Sequence, residues 1–257
     1  MRQLTFIQPS WPVSKRVVCL STTRQGGVSE NAFSSLNLGA HVGDYEASVS
    51  SNRSKLDFIL AQYANKAQAI SWLNQTHSNK VINLVEAQLS GSIEADAAYT
   101  MTENLPCVIM TADCLAIMLS NRSGTEVAAV HAGWKGLLDG VIENTILKFV
   151  SPRNDLHAWF APSICQQHFE VGAEVATLFS DYPSALKTAI KPDKFLLDLI
   201  DVASIKLKSL GILHQYYSKR CTYSSDTLFS HRQATHQGLI ACGRMANLIL
   251  INNLPIE

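Results

Sequence analysis

The stretch CVIMTADCLAIMLSN, residues 107–121, constrains this chain more than any other. It is apolar almost throughout, so most of it must be buried, yet Thr111, Ala112 and Asp113 interrupt it. That pattern reads as two buried strands joined by a kink. A second stretch, EVAAVHAGWKG (126–136), reads as a strand that ends at His131 and runs into a glycine-flanked turn.

Elements of both kinds surround these two. RVVCLSTTR (16–24) is β-branched and reads as a strand leading into the Gly26-Gly27 turn. Residues 46–63 carry Val49, Leu56, Ile59 and Leu60 at near-helical spacing. AISWLNQTHSNKVINLV suggests two strands with His77 in or near their connection. Helices are expected over 137–150, over VGAEVATLFSDY, and over 195–212, with a strand at LHAWFAPSI. GRMANLILIN is a strand or a helix, and its periodicity does not decide which. The alternation lacks a regular βαβ cadence, so the expected fold is α/β: one domain over residues 1–257, with a mixed β-sheet and flanking helices.

Composition excludes several classes of function. The chain of 257 residues is 47% hydrophobic and only 16% charged, which excludes disorder. No run reaches the ~18 apolar residues of a membrane span, and the N-terminus lacks the pattern of a signal peptide. No membrane association and a cytoplasmic location are therefore expected. The net charge is zero and Lys and Arg form no stripe, so nucleic acid is not an expected partner. The six cysteines are scattered and read as free thiols, one or two of them functional.

Cys114 belongs to that functional minority, together with His77 and His131. Two imidazoles and a thiolate suit Zn²⁺ and leave a fourth position open, the arrangement of a catalytic rather than a structural zinc. The three are far apart in the chain, so they meet only through the tertiary fold. Asp113 and Asp96 are the candidates for orienting a ligand imidazole, although Asp96 also reads as a turn residue. Gly133 and Gly136 permit close backbone approach beside His131, and Lys135 offers a positive charge to an anion or is an ordinary solvated lysine. Arg24, before two glycines, resembles an anion-binding turn, and the plainer reading is a surface hairpin. In FSHR (229–232), Arg232 is read as the partner of a structural carboxylate. None of G-x-G-x-x-G, the P-loop pattern or G-x-S-x-G is present.

Taken together, NQTHSNKV, ADAAYT, TADCLAIML, AAVHAGWKGLLDGVIE, APSICQQHFEVGAEV, CTYSSDTLFSHR and GRMANLI resemble, in order, the laccase-domain or polyphenol oxidase family. That family includes peptidoglycan editing factors and zinc-dependent purine nucleoside phosphorylases. The resemblance covers residues 16–251. It implies one catalytic zinc on His77, Cys114 and His131. It also implies phosphorolysis of adenosine, inosine and methylthioadenosine, with adenosine deamination alongside, in a monomer or homodimer. Arg24 and then Lys135 are expected to hold phosphate, and Asp113 or Asp96 to carry protons during deamination. Hydrolytic editing of a peptidoglycan precursor is one alternative. Copper-dependent phenol oxidation is another, which one His₂Cys set fits poorly. The chain departs from the family pattern at Ser78 (commonly Gly), Lys135 (commonly Arg), Gln233 and Ala234 (commonly Arg and an acid), and in a longer THQGLIAC loop.

Overall fold

The computed structural model of the protein describes residues 4–64, 67–85 and 93–253. Its larger sheet has six strands in the order His214–Tyr217, Leu156–Phe160, Leu115–Asn121, Val127–Ala132, Ala97–Thr100, Val81–Asn83. The pair at each end is parallel and the inner pairs are antiparallel, so the sheet is mixed, as expected. A four-stranded antiparallel sheet orders Phe6–Ile7, Val17–Thr22, Met245–Ile251 and Cys107–Thr111.

Strand alternation sends neighbouring residues to opposite cores. Leu115, Ile117 and Leu119 pack with Val130 and Tyr99 against Leu137, Ile142, Val202 and Leu207 of the helices. Ala116 and Met118, with Ala129 and Trp159, meet Cys107, Ile109 and Ile249 of the smaller sheet. That sheet's other face, with Leu20, Val108, Leu248 and Leu250, packs on Leu56 and Leu60 of the helix Glu46–Tyr63. The result is helix, sheet, sheet and helices in layers. Because each sheet is covered on both faces, its strands read as continuous apolar runs rather than alternating ones. GRMANLILIN is such a strand, Met245–Ile251.

Three sequence expectations need correction. The helix expected over 137–150 is two helices, Trp134–Asp139 and Val141–Ile146, broken where Gly140 takes φ +87°. The helix expected over 195–212 starts as a strand, Lys194–Leu197; Asp198 then caps the helix Leu199–Ser209, accepting from the amides of Ile200 and Asp201. The third, over VGAEVATLFSDY, shrinks to Ala173–Leu178. In the first two cases a local terminator, a left-handed glycine or an N-cap aspartate, overrides apolar spacing. Among the described residues no helix is long and apolar enough to cross a membrane.

Candidate metal centre

The kink at residues 111–114 is where the chain crosses from one sheet to the other, and it presents Cys114. Asp113 sits there at φ +90°, a strained conformation for a residue with a side chain. Three bonds hold it. Its Oδ1 accepts from Thr222 Oγ1 (2.6 Å), its Oδ2 from the Arg232 amide (2.7 Å), and its carbonyl from the Ile164 amide (2.9 Å). His131 lies on the neighbouring strand, paired with Ala116. His77 comes from the connection between Leu73–Asn74 and Val81–Asn83, as expected.

The donor atoms of His77, Cys114 and His131 all lie within 4.8 Å of one another. Cys114 Sγ is 3.9 Å from His77 Nε2, and the two imidazole rings stand edge to face, 4.8 Å apart. A Cβ added to Gly133 would lie 3.1 Å from that sulfur and 3.3 Å from His77 Cδ2, so the glycine keeps the cluster uncrowded. The donor set fits a borderline-soft divalent ion with one position left open.

Asp96 organises both imidazoles. The residue is fully buried and its carboxylate meets His131 Nδ1 at 2.8 Å, which leaves Nε2 of that ring for a metal. It also accepts from three successive amides, Thr76 (3.2 Å), His77 (3.0 Å) and Ser78 (2.6 Å), and so holds His77 at φ +59°. Ser78 Oγ adds a fifth bond at 2.7 Å. A glycine at this position would lack that bond, so Ser78 tightens the anchor. Burial is the largest influence on the Asp96 carboxyl and pushes it up. Hydrogen bonds from His131 and Ser78 outweigh it and leave the group at about 2. Burial likewise opposes charge on Cys114 and His131. Their mutual attraction wins, bringing the thiol down to about 6 and the imidazole up to about 9.

Two cavities share this cluster. One is lined mainly by apolar groups, Trp134, Ile164, Phe169 and Leu199, with Asp113 and Arg232. The other is polar and is lined by His41, Gln75, Thr111, His131 and Arg244. His77, Ala112, Cys114 and His231 line both. Burial first, and then the charges of Arg244, Arg53 and His77, lower His41 below the usual imidazole range.

The structure separates the other expected residues from this cluster in different ways. Asp113 reaches the apolar cavity, but its carboxylate is committed to Thr222 and Arg232. Arg24 lines a neighbouring cavity with Asn31, Phe229, Ser230 and Gln233; its Nε donates to Ser34 O (2.7 Å) and its guanidinium covers the Phe229 ring at 4.7 Å. Lys135 is exposed, with Nζ 5.5 Å from the centre of the Trp134 ring. Among the described residues, Arg232 meets a carboxylate through its backbone amide alone. Its guanidinium bonds to His168 O (3.3 Å) and faces the Phe169 ring, which corrects the expected side-chain ion pair. Sequence reasoning missed His41 and Arg244 altogether. The Gly243-Arg244 pair was the available signal. Gln233 donates to Tyr223 O (2.8 Å), and Ala234 packs in a small core with Phe229 and Met245.

Comparison with known proteins supports this fold. Residues 18–252 match the family described as multi-copper polyphenol oxidoreductase laccase. A purine nucleoside phosphorylase of Haemophilus influenzae is 41% identical over 250 residues, covering 95% of this chain and 98% of that protein. Purine nucleoside phosphorylase YfiH of Escherichia coli is 40% identical, with the same coverage. The crystal structure of Neisseria meningitidis protein NMB0706 superposes with a TM-score of 0.87 at 39% identity, covering 98% of this chain and all of that one.

Proposed function

The chain belongs to the multi-copper polyphenol oxidoreductase laccase family, and from that membership we propose that it is a zinc-dependent purine nucleoside phosphorylase. The supporting observation is the position of the His77, Cys114 and His131 cluster on the wall between an apolar and a cationic cavity. Their volumes are about 150 and 240 Å³. Neither alone reaches the roughly 300 Å³ at the lower end for ligand pockets, so a nucleoside with phosphate occupies both.

The purine lies against the flat faces of Trp134 and Phe169, which cost no polar desolvation. Phosphate lies in the polar cavity, held by the guanidinium of Arg244 with His41 as a further donor. Arg244 is fixed for this because its Nη1 donates to the carbonyls of Cys242 (2.9 Å) and Gly243 (3.3 Å). The phosphate role expected of Arg24 and Lys135 therefore passes to Arg244. A zinc ion held by the three ligands supplies positive charge and Lewis acidity to the oxygens of the reacting groups. As a phosphate oxygen bonds to C1′, the C1′–N9 bond breaks and its electron pair leaves with the purine. His231 lines both cavities and gives the departing base its proton.

Adenosine, inosine and methylthioadenosine are the proposed substrates, and the apolar lining by Ile164 and Leu199 suits an uncharged methylthio group. Adenosine deamination is proposed at the same centre, with water replacing phosphate as the second reactant and ammonia leaving from C6. His231 serves as proton carrier there too, because Asp96 is buried behind His131 and both oxygens of Asp113 already accept hydrogen bonds, from Thr222 and the Arg232 amide. Incubation of the purified protein with inosine tests the reading. Hypoxanthine and ribose 1-phosphate should form only when phosphate is present. No base release, with hydrolysis of a nucleotide-linked muramyl precursor instead, would overturn it in favour of editing.

A further inference from the structure

A second cluster of soft donors lies outside the centre described above. Cys165, His168 and Cys221 bring their ligand atoms within 4.8 Å of one another. His168 Nδ1 is 3.2 Å from Cys165 Sγ and 3.6 Å from Cys221 Sγ. Tetrahedral coordination with bonds of about 2.05 Å to nitrogen and 2.3 Å to sulfur separates such donors by roughly 3.6 Å. We propose that Cys165, His168 and Cys221 form a second metal site for a soft or borderline ion of the zinc class, separate from the His77 centre.

The backbone is arranged for this convergence. A single 3₁₀ turn, Gln166–His168, returns the chain so that the His168 amide donates to Cys165 O (3.0 Å), and a Cys-x-x-His pair faces one point. Cys221 arrives from a remote segment, fixed by a parallel bridge to Ser163 in which the Thr222 amide donates to Ser163 O. The Cys165 amide donates to Cys221 Sγ at 3.3 Å, a contact that favours the thiolate over the thiol. The His168 ring is stacked on Tyr223 at 4.3 Å, which sets its plane. Cys114 and Cys221 are the only partly exposed thiols besides Cys165, while Cys19, Cys107 and Cys242 are buried. Three of the six cysteines thus stand beside histidines, and the buried three are packing residues.

The new site is joined to the first through Asp113. Ile164, one residue before Cys165, donates to the Asp113 carbonyl, and Thr222, one residue after Cys221, donates to its carboxylate. Phe169 and Arg232, which bond or pack beside His168, line the apolar cavity. An ion bound here clamps two segments that together hold the strained residue before Cys114.

The test is a zinc titration of the full-length reduced protein against a chromophoric chelator, without oxygen. Two equivalents per chain are expected. C165S and C221S should each bind one and retain the His77 centre, whereas C114S should bind one through the second cluster. Cobalt substitution of the unmutated protein is an independent readout that does not depend on a variant folding. Its sulfur-to-metal charge-transfer band should grow in two steps, the two-thiolate site contributing about twice the intensity of the one-thiolate site. A single equivalent in the wild type with none in C114S would overturn the proposal. So would a Cys165–Cys221 disulfide that survives reduction of the other thiols, with no second cobalt step.

Discussion

The two cysteine–histidine clusters use the same donor types but are supported differently. At His77, Cys114 and His131, a fully buried carboxylate orients one imidazole and fixes the loop of the other, and a strained residue held by three bonds presents the thiol. At Cys165, His168 and Cys221, no carboxylate bonds to the imidazole among the described residues; a tight turn, an aromatic stack and a bridge position the donors. A carboxylate behind a ligand histidine raises its basicity and fixes its tautomer, and two cavities open onto the first cluster. That difference underlies the proposed division of roles, chemistry at the first cluster and the joining of chain segments at the second. Donor identity alone does not distinguish them, whereas the groups behind the donors do.

The largest effect should come from removing a ligand of the first cluster. Cys114→Ala or His131→Ala should abolish tight zinc binding there and lower phosphorolysis by roughly 10³-fold or more, since several kcal/mol of charge stabilisation are lost. Far-ultraviolet circular dichroism should show the fold retained. If the variants keep wild-type turnover, the first cluster is not the reactive one and the contrast collapses. Asp96→Asn should follow, weakening zinc at this site by about 10–100-fold. It leaves all three ligands in place, so a loss measured by chelator competition reports on the supporting carboxylate itself. The same measurement on the second cluster should not change.

How far this contrast could be read from the sequence depends on the residue. The three donors of the first cluster were legible because each lies in an unusual context: His77 in the polar NQTHSNKV connection, Cys114 at the break between two apolar runs, and His131 at the end of one. Asp96 and Asp113 were both legible as carboxylates needing partners, but their division of labour depends on which amides converge on them. Those of residues 76–78 and 232 are remote in sequence. The second cluster was not legible, since Cys165 and Cys221 meet only through a bridge between distant segments. The layered fold was legible as a class. Two strands on opposite sheets, joined at Thr111–Asp113, could be foreseen as a kink but not as a change of sheet.

A smaller effect separates the cationic groups around the first cluster. Arg244→Ala should raise KM for phosphate by about 10–100-fold, the cost of one or two charge-assisted hydrogen bonds. Arg24→Ala, in the neighbouring cavity, should raise it less than threefold, within the roughly 0.6 kcal/mol that such a factor represents at 25 °C. Initial rates at varied phosphate and saturating inosine measure both. A reversed order would return the phosphate to the Arg24 loop.

The smallest expected effect on turnover belongs to Glu126, a buried carboxylate that is hydrogen-bonded on both oxygens like Asp96 but has no metal-cluster residue among its partners. It accepts from Tyr99 Oη (2.7 Å) and from the amides of Val150 (2.7 Å) and Ser151 (2.9 Å). Burial, the largest influence, raises its carboxyl, but bonds from Ser151 and Tyr99 and the two amides outweigh it, so the group lies below its ordinary 4.5. A carboxyl depressed on folding gives stability that is complete above its unfolded value and is lost as pH falls through its folded one. The wild type should therefore lose stability as pH drops below about 4.5, and Glu126→Gln should flatten that part of the profile. At neutral pH the variant should be less stable by about 1–3 kcal/mol, measured by urea unfolding. Zinc affinity and KM should stay at wild-type values. A loss of zinc binding in Glu126→Gln as large as in Asp96→Asn would mean that any buried carboxylate supports the site through overall stability, and that the position of Asp96 behind His131 has no special role.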